Sequence, residues 1–273
     1  ETLIGAVVGT AGNLLLPPPV WVDEAGRSIE DLARRVRQLM LRLGEEAAGR
    51  TPWQQAAERL HEARRLDHHI VQVDAALRQA EDSLRLNPRV KEGLLHRVVL
   101  RTGLDTLEIC TVVLRVLARS FTDLAKARGS DELFPSQVGA TVEQLLSEIA
   151  DAVVSFAVLV TTHLSENAES AEARLSAELH TAAGTRDRLA ELLQEEIRKD
   201  WAHWQLLGAV LTETTRIIDE LNTEHRTRRL LEELDRVSRE QRAALPRLAR
   251  LRDRLGVQEE LWRNRAGFGE RYR

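Results

Sequence analysis

The densest cluster of groups able to ligate a metal or move a proton is His61-Glu62-Ala63-Arg64-Arg65-Leu66-Asp67-His68-His69. On one helix, two imidazoles reach a single ion only at spacings of three or four residues. The slot four after His61 is also the slot four before His69, and it holds Arg65. His61 and His68 share a side of the helix but stand about two turns, roughly 10 Å, apart. The cluster therefore reads as surface histidines beside an apolar stripe, and a metal would need ligands from other helices.

Nucleophilic chemistry has equally thin support. Cys110 lies in an apolar run with no base or cation beside it, so it reads as a small buried hydrophobe and not as an activated thiol. No Gly-x-Ser-x-Gly elbow sets a serine against His163 or His203. His163 falls on an apolar seam, where a core or rim residue is the simpler reading than a ligand. Trp201 and Trp204 flank His203 and could line a pocket, but at helical spacing they more readily pack a core. The carboxylate pairs Glu195-Glu196 and Glu232-Glu233 sit in charge-laced helical stretches, which suits a solvated face better than acid-base work. No catalytic, cofactor-binding or metal-ligating residue is assigned, and the chain is not expected to be an enzyme.

The elements that carry these residues are helical throughout. Of the 273 residues, 43% are hydrophobic, 30% are charged and only 4% are aromatic, the balance of long amphipathic helices. Asp23 to about Ala48 forms a first helix with Ile29, Leu32, Val36, Leu39 and Leu43 on one face. Its Arg34, Arg35, Arg37 and Arg42 have no acidic neighbour between Asp31 and Glu45, which suits a solvated face or contact with anionic lipid. Thr51 caps a second helix with Pro52 at its first position, and Asn87-Pro88 stops it. A third, from Pro88 to Arg128, carries the seam Leu107, Cys110, Leu114, Leu117 and a second stripe of Ile109, Val113 and Val116, so it should be packed on several sides. A fourth begins near Pro135, a fifth runs from about Asn167 to Lys199, and a sixth follows from Asp200 to Leu221. Glu224 to Arg265 is helical in pattern but interrupted by Pro246. No stretch has the alternation of a half-buried strand. The fold class is all-α: a bundle of about six to eight long, partly coiled-coil-like helices.

The first residues differ from the rest. The uncharged run Leu3 to Leu16 is followed by Pro17-Pro18-Pro19. It is shorter than the roughly 20 residues that span a bilayer, so it is expected to be the C-terminal end of a transmembrane helix, occupying residues 1–19. Gly5, Gly9 and Gly12 suit close helix packing in lipid, and Trp21 suits a membrane-interface anchor. Residues 20–273 then form a helical-bundle domain. The lone cysteine fits a reducing compartment, hence the cytoplasmic side of the membrane. A net charge of −4 gives no pull toward nucleic acid. Pro246 to Arg273 is basic, with eight Arg against four acidic residues, and suits lipid headgroups or an acidic patch on the same bundle. Of the 39 basic residues only Lys91, Lys126 and Lys199 are lysine, a bias typical of a high-GC bacterial genome.

Three stretches bear a family likeness. They are Glu1-Thr2-Leu3-Ile4-Gly5-Ala6-Val7-Val8-Gly9 running into Asn13-Leu14-Leu15-Leu16-Pro17-Pro18; Ser83-Leu84-Arg85-Leu86-Asn87-Pro88-Arg89; and Trp204-Gln205-Leu206-Leu207-Gly208-Ala209-Val210-Leu211 leading to Arg216-Ile217-Ile218-Asp219-Glu220-Leu221. In this order they resemble the fusaric acid resistance and aromatic acid exporter family of bacterial membrane proteins, actinobacterial members in particular. The resemblance implies a last membrane helix followed by a long cytoplasmic helical domain, in an inner-membrane protein that exports small aromatic acids. It implies no catalytic residue. The partners expected are the bilayer, the preceding transmembrane helices of the same protein and, through the leucine seams, other subunits of a homo-oligomer. The alternative is a free-standing soluble helical scaffold or interaction protein whose first helix packs in its own core.

Overall fold

A computed structural model describes residues 20–85, 90–129, 132–162, 168–199 and 204–222. The chain divides into two units, Glu1–Arg228 and Arg229–Arg273, and the described residues all belong to the first. They form six helices: α1 Val20–Ala48, α2 Trp53–Arg85, α3 Val90–Arg128, α4 Ser136–Thr162, α5 Ala168–Lys199 and α6 Trp204–Leu221. No strand occurs among the described residues. The all-α bundle expected from periodicity is therefore the observed architecture.

Helix α4 is the hub. It packs most extensively on α1 and α5 and also touches α3 and α6. It is the one helix among the described residues long and apolar enough to cross a membrane, yet 61% of its most apolar stretch is buried inside the bundle. Val142, Leu145, Leu146, Ile149, Val153 and Phe156 are each fully buried, so two adjacent faces are covered and not one stripe. Helix α1 runs antiparallel to it, since Arg37 donates to Asp151 (3.1 Å) and Thr161 donates to Glu30 (3.0 Å). The two backbones meet closely at one end. A Cβ on Gly44 would lie 3.2 Å from the Cα of Glu143, and one on Gly139 would run into the carbonyl oxygen of Ala47. At Gly139 only glycine leaves room for that approach.

Helix α2 is the opposite case, packing on α1 and α3 and leaving its outer face to solvent. Its stripe Ala56, Leu60, Ala63, Leu66, Ile70, Val73, Leu77 and Ala80 is buried as the spacing predicts. Helix α3 lies antiparallel to it: Arg115 donates to Asp67 (2.5 Å), Arg101 donates to Asp74, and Thr122 donates to the carbonyl of Ala56 (3.1 Å). Arg101 carries a raised pKa, because its hydrogen bond to Asp74 and the nearby carboxylates outweigh the burial that works against its charge.

Two details of the sequence reading change. The second stripe of α3 buries Val113 but leaves Val116 43% exposed, because the helix faces solvent there and not a further neighbour. Thr51 is not a cap of the expected kind: its buried hydroxyl donates back to the carbonyl of Glu46 (3.1 Å), while the amides of Gln55 and Ala56 bond to Pro52. The hydroxyl thus closes the end of α1 rather than the start of α2. Gly129, with φ of 73°, ends α3 in the left-handed conformation that side chains resist. The link to α4 is pinned by buried Leu133 and Phe134, the latter edge-on to Phe121 with centroids 5.5 Å apart.

Candidate functional site

Where α1 meets α2, the same polar cluster that invited a metal reading opens into a groove. The antiparallel register is set by ion pairs. Arg42 donates through one nitrogen to both oxygens of Glu62 (2.8 and 3.0 Å), and Arg59 donates to Glu62 (2.6 Å) and to Glu46 (3.0 Å). In that register Arg35 faces His69 and Gln38 faces the turn of Arg65 and Leu66. These residues, with Trp53, Gln54, Ala57, Glu58 and His61, line a cavity of about 730 Å³. The exposed Trp53 and the half-buried Ala57 bring apolar surface to its lining. A smaller polar cavity of about 290 Å³ lies at the other end of the network, lined by Arg50, Thr51 and Gln55 beside Glu46.

The network has a buried end and a wet end. Glu46 is only 4% exposed. Burial pushes its carboxyl above the usual range, and the hydrogen bonds from Arg59 and Gln55 reduce that rise without cancelling it. Burial also works against the charge on Arg59, but hydrogen bonds to Glu62 and Glu46 overcome it and its pKa is raised. At the wet end the carboxylates run out. Asp31 is taken by Arg34 (2.6 Å), and Glu62 by Arg42 and Arg59. Among the described residues, Arg35 and Arg65 have no hydrogen-bond or ion-pair partner, though both are groove-lining and solvent-exposed. Trp53, 45% exposed, stands at the far end with the Lys126 ammonium 5.7 Å from its ring centroid.

The sequence candidates fall in different places. His61 and His69 line the groove, and His69 meets Gln72 at 3.2 Å; His68 is exposed and not part of the lining. Among the described residues, no group of three or more His, Cys, Asp or Glu could hold a metal ion. Cys110 is buried. Gly5, Gly9, Gly12, His163, Trp201, His203, Glu232, Glu233 and the Glu224 to Arg265 stretch lie outside the described residues. Trp21 is in the first turn of α1 and Trp204 opens α6, but their side chains lie outside the description too.

The four arginines of α1, read from sequence as one face, are divided by the fold. Arg34 and Arg37 are engaged by Asp31 and Asp151, Arg42 by Glu62, and only Arg35 is left to the groove. Sequence reading missed Arg35 and Arg65 as a pair, because nothing in one strand of text says that α1 and α2 meet in this register. The chain matches no known family, no curated protein and no solved structure.

Proposed function

We propose that this chain is the cytoplasmic helical domain of a bacterial inner-membrane transporter-like protein, in which it assembles the protein or regulates export of small aromatic acids, and that it has no catalytic role of its own. One observation carries the reading: an uncharged run, Leu3 to Leu16, ends in three prolines directly ahead of Val20, where a bundle of long helices begins. A membrane exit followed by a helical domain has that order. The likeness of the three stretches to the aromatic acid exporter family supports it. A surplus of arginine in the α1–α2 groove is compatible with handling acids.

The second reading, a free-standing helical scaffold, is favoured by α4. Its apolar surface is taken up by α1 and α5, so the bundle completes a core with its own helices. The two separate cleanly on the intact gene product. We expect hydrophobic segments encoded ahead of Glu1 and a protein that stays in the membrane pellet after a carbonate wash. A start codon immediately upstream, with the product in the supernatant, would leave the scaffold as the function.

A further inference from the structure

We propose that the α1–α2 groove is a binding site for a small polyanion, a molecule carrying two or more carboxylate or phosphate groups. The inference goes beyond the membrane reading and does not depend on it.

A protein surface with many arginines commonly neutralises them with neighbouring carboxylates, and this bundle does so repeatedly. Arg37, Arg101 and Arg115 each reach across to an aspartate on another helix. The groove departs from that habit in a specific way. Its acceptors are consumed at one end, where Glu62 is shared between Arg42 and Arg59, and two guanidinium groups remain at the other end with nothing to bind among the described residues. Arg35 and Arg65 come from different helices and, by the ion-pair register, lie a little over one turn apart, about 6 Å along the axis. Gln38, a neutral hydrogen-bonding side chain, lies between them on the α1 side, and Arg42 follows one turn further on.

Guanidinium groups bind carboxylate and phosphate through paired N–H donors, and each such bond is stronger than a neutral one. A single oxyanion would engage one end of this row. A molecule with two or more would engage both free arginines at once. The cavity of about 730 Å³ has the volume of a small-molecule site. Glu62, the lining carboxylate nearest Arg65, is held by Arg42 and Arg59, and Glu58, 74% exposed, lies about 10 Å from Arg65 along α2. Preorganisation comes from the Arg42–Glu62–Arg59–Glu46 chain, which fixes the two helices before any ligand arrives.

The test is isothermal titration of the full chain, at low salt, with citrate and with inorganic pyrophosphate. We expect binding of at least one probe with a dissociation constant below about 1 mM, and the tighter of the two identifies a carboxylate or a phosphate ligand. The Arg35→Gln/Arg65→Gln double variant should weaken that binding by about tenfold or more, with the same thermal melt as the parent, since both side chains are exposed and unpaired among the described residues. Arg64→Gln/Arg78→Gln removes the same charge from outside the groove and should leave affinity within about twofold. Absence of heat with both probes would overturn the site. So would equal weakening in the two double variants, because binding would then follow net charge and not this groove.

Discussion

Helices α2 and α4 are both long, both amphipathic enough to be read from sequence, and stabilised in contrasting ways. Helix α4 is surrounded, so its side chains meet other side chains on most sides, and its contribution comes from apolar area removed from water. Helix α2 is attached along one stripe, and where that stripe gives out its polar residues lock to α1 and α3 through arginine–carboxylate pairs. The contrast separates two jobs. The dry hub sets how much the bundle resists unfolding, whereas the ionic seam sets where α1 and α2 stand relative to each other and leaves polar groups free to meet a ligand.

The largest effect should come from the hub. Phe156 is fully buried in α4, and Phe156→Ala should destabilise the bundle by about 3–5 kcal/mol through lost burial and the cavity left behind. Urea unfolding followed by circular dichroism measures this, and a loss below 1 kcal/mol would mean that α4 is not the centre of the core.

Arg59 tests the seam. Replacing it with Met keeps the aliphatic contact but leaves Glu46, with a side chain 3% exposed, without its cation, and Arg59 itself is 19% exposed. The cost should be about 2–3 kcal/mol, below that of a fully buried pair because the site is partly wet. If Arg59→Met melts with the parent, the network is ornamental to stability and the distinction between the two regions fails.

The smallest effect is the most informative in sign. Because burial raises the pKa of Glu46 in the folded chain above its ordinary 4.5, the folded state holds that proton more firmly than the unfolded state. The stability this provides is complete below pH 4.5 and is lost as pH rises through the raised value. Glu46→Gln cannot ionise and has no such slope. Denaturation midpoints taken at pH 4 and pH 7 should therefore show the variant gaining on the parent as pH rises, by less than about 1 kcal/mol. A parent that gains instead would show that pairing with Arg59 outweighs burial.

Much of the bundle was legible because a helix buried on one side must repeat apolar residues every three or four positions. That is why α2, α4 and the end of α1 lie close to where periodicity puts them. Val116 was misread for the same reason: a Val at helical spacing looks identical whether or not a neighbour arrives to cover it. Thr51 was misread because a hydroxyl between two helices has two ends to choose from, and only the path of the chain decides.

The candidate site was legible in its parts alone. His61, His69 and the arginines of α1 stood out as residue types, but not as the lining of one groove. Composition and period determined an all-helical chain with an apolar fourth helix and polar outer faces, since those properties follow from local geometry and the cost of exposing apolar surface. Pairs within one helix, such as Arg34–Asp31, follow from spacing, but which carboxylate on another helix an arginine meets was decided only by tertiary structure. Arg35 and Arg65 are 30 positions apart, and they come to share a groove because Arg42, Glu62, Arg59 and Glu46 set the register of two antiparallel helices.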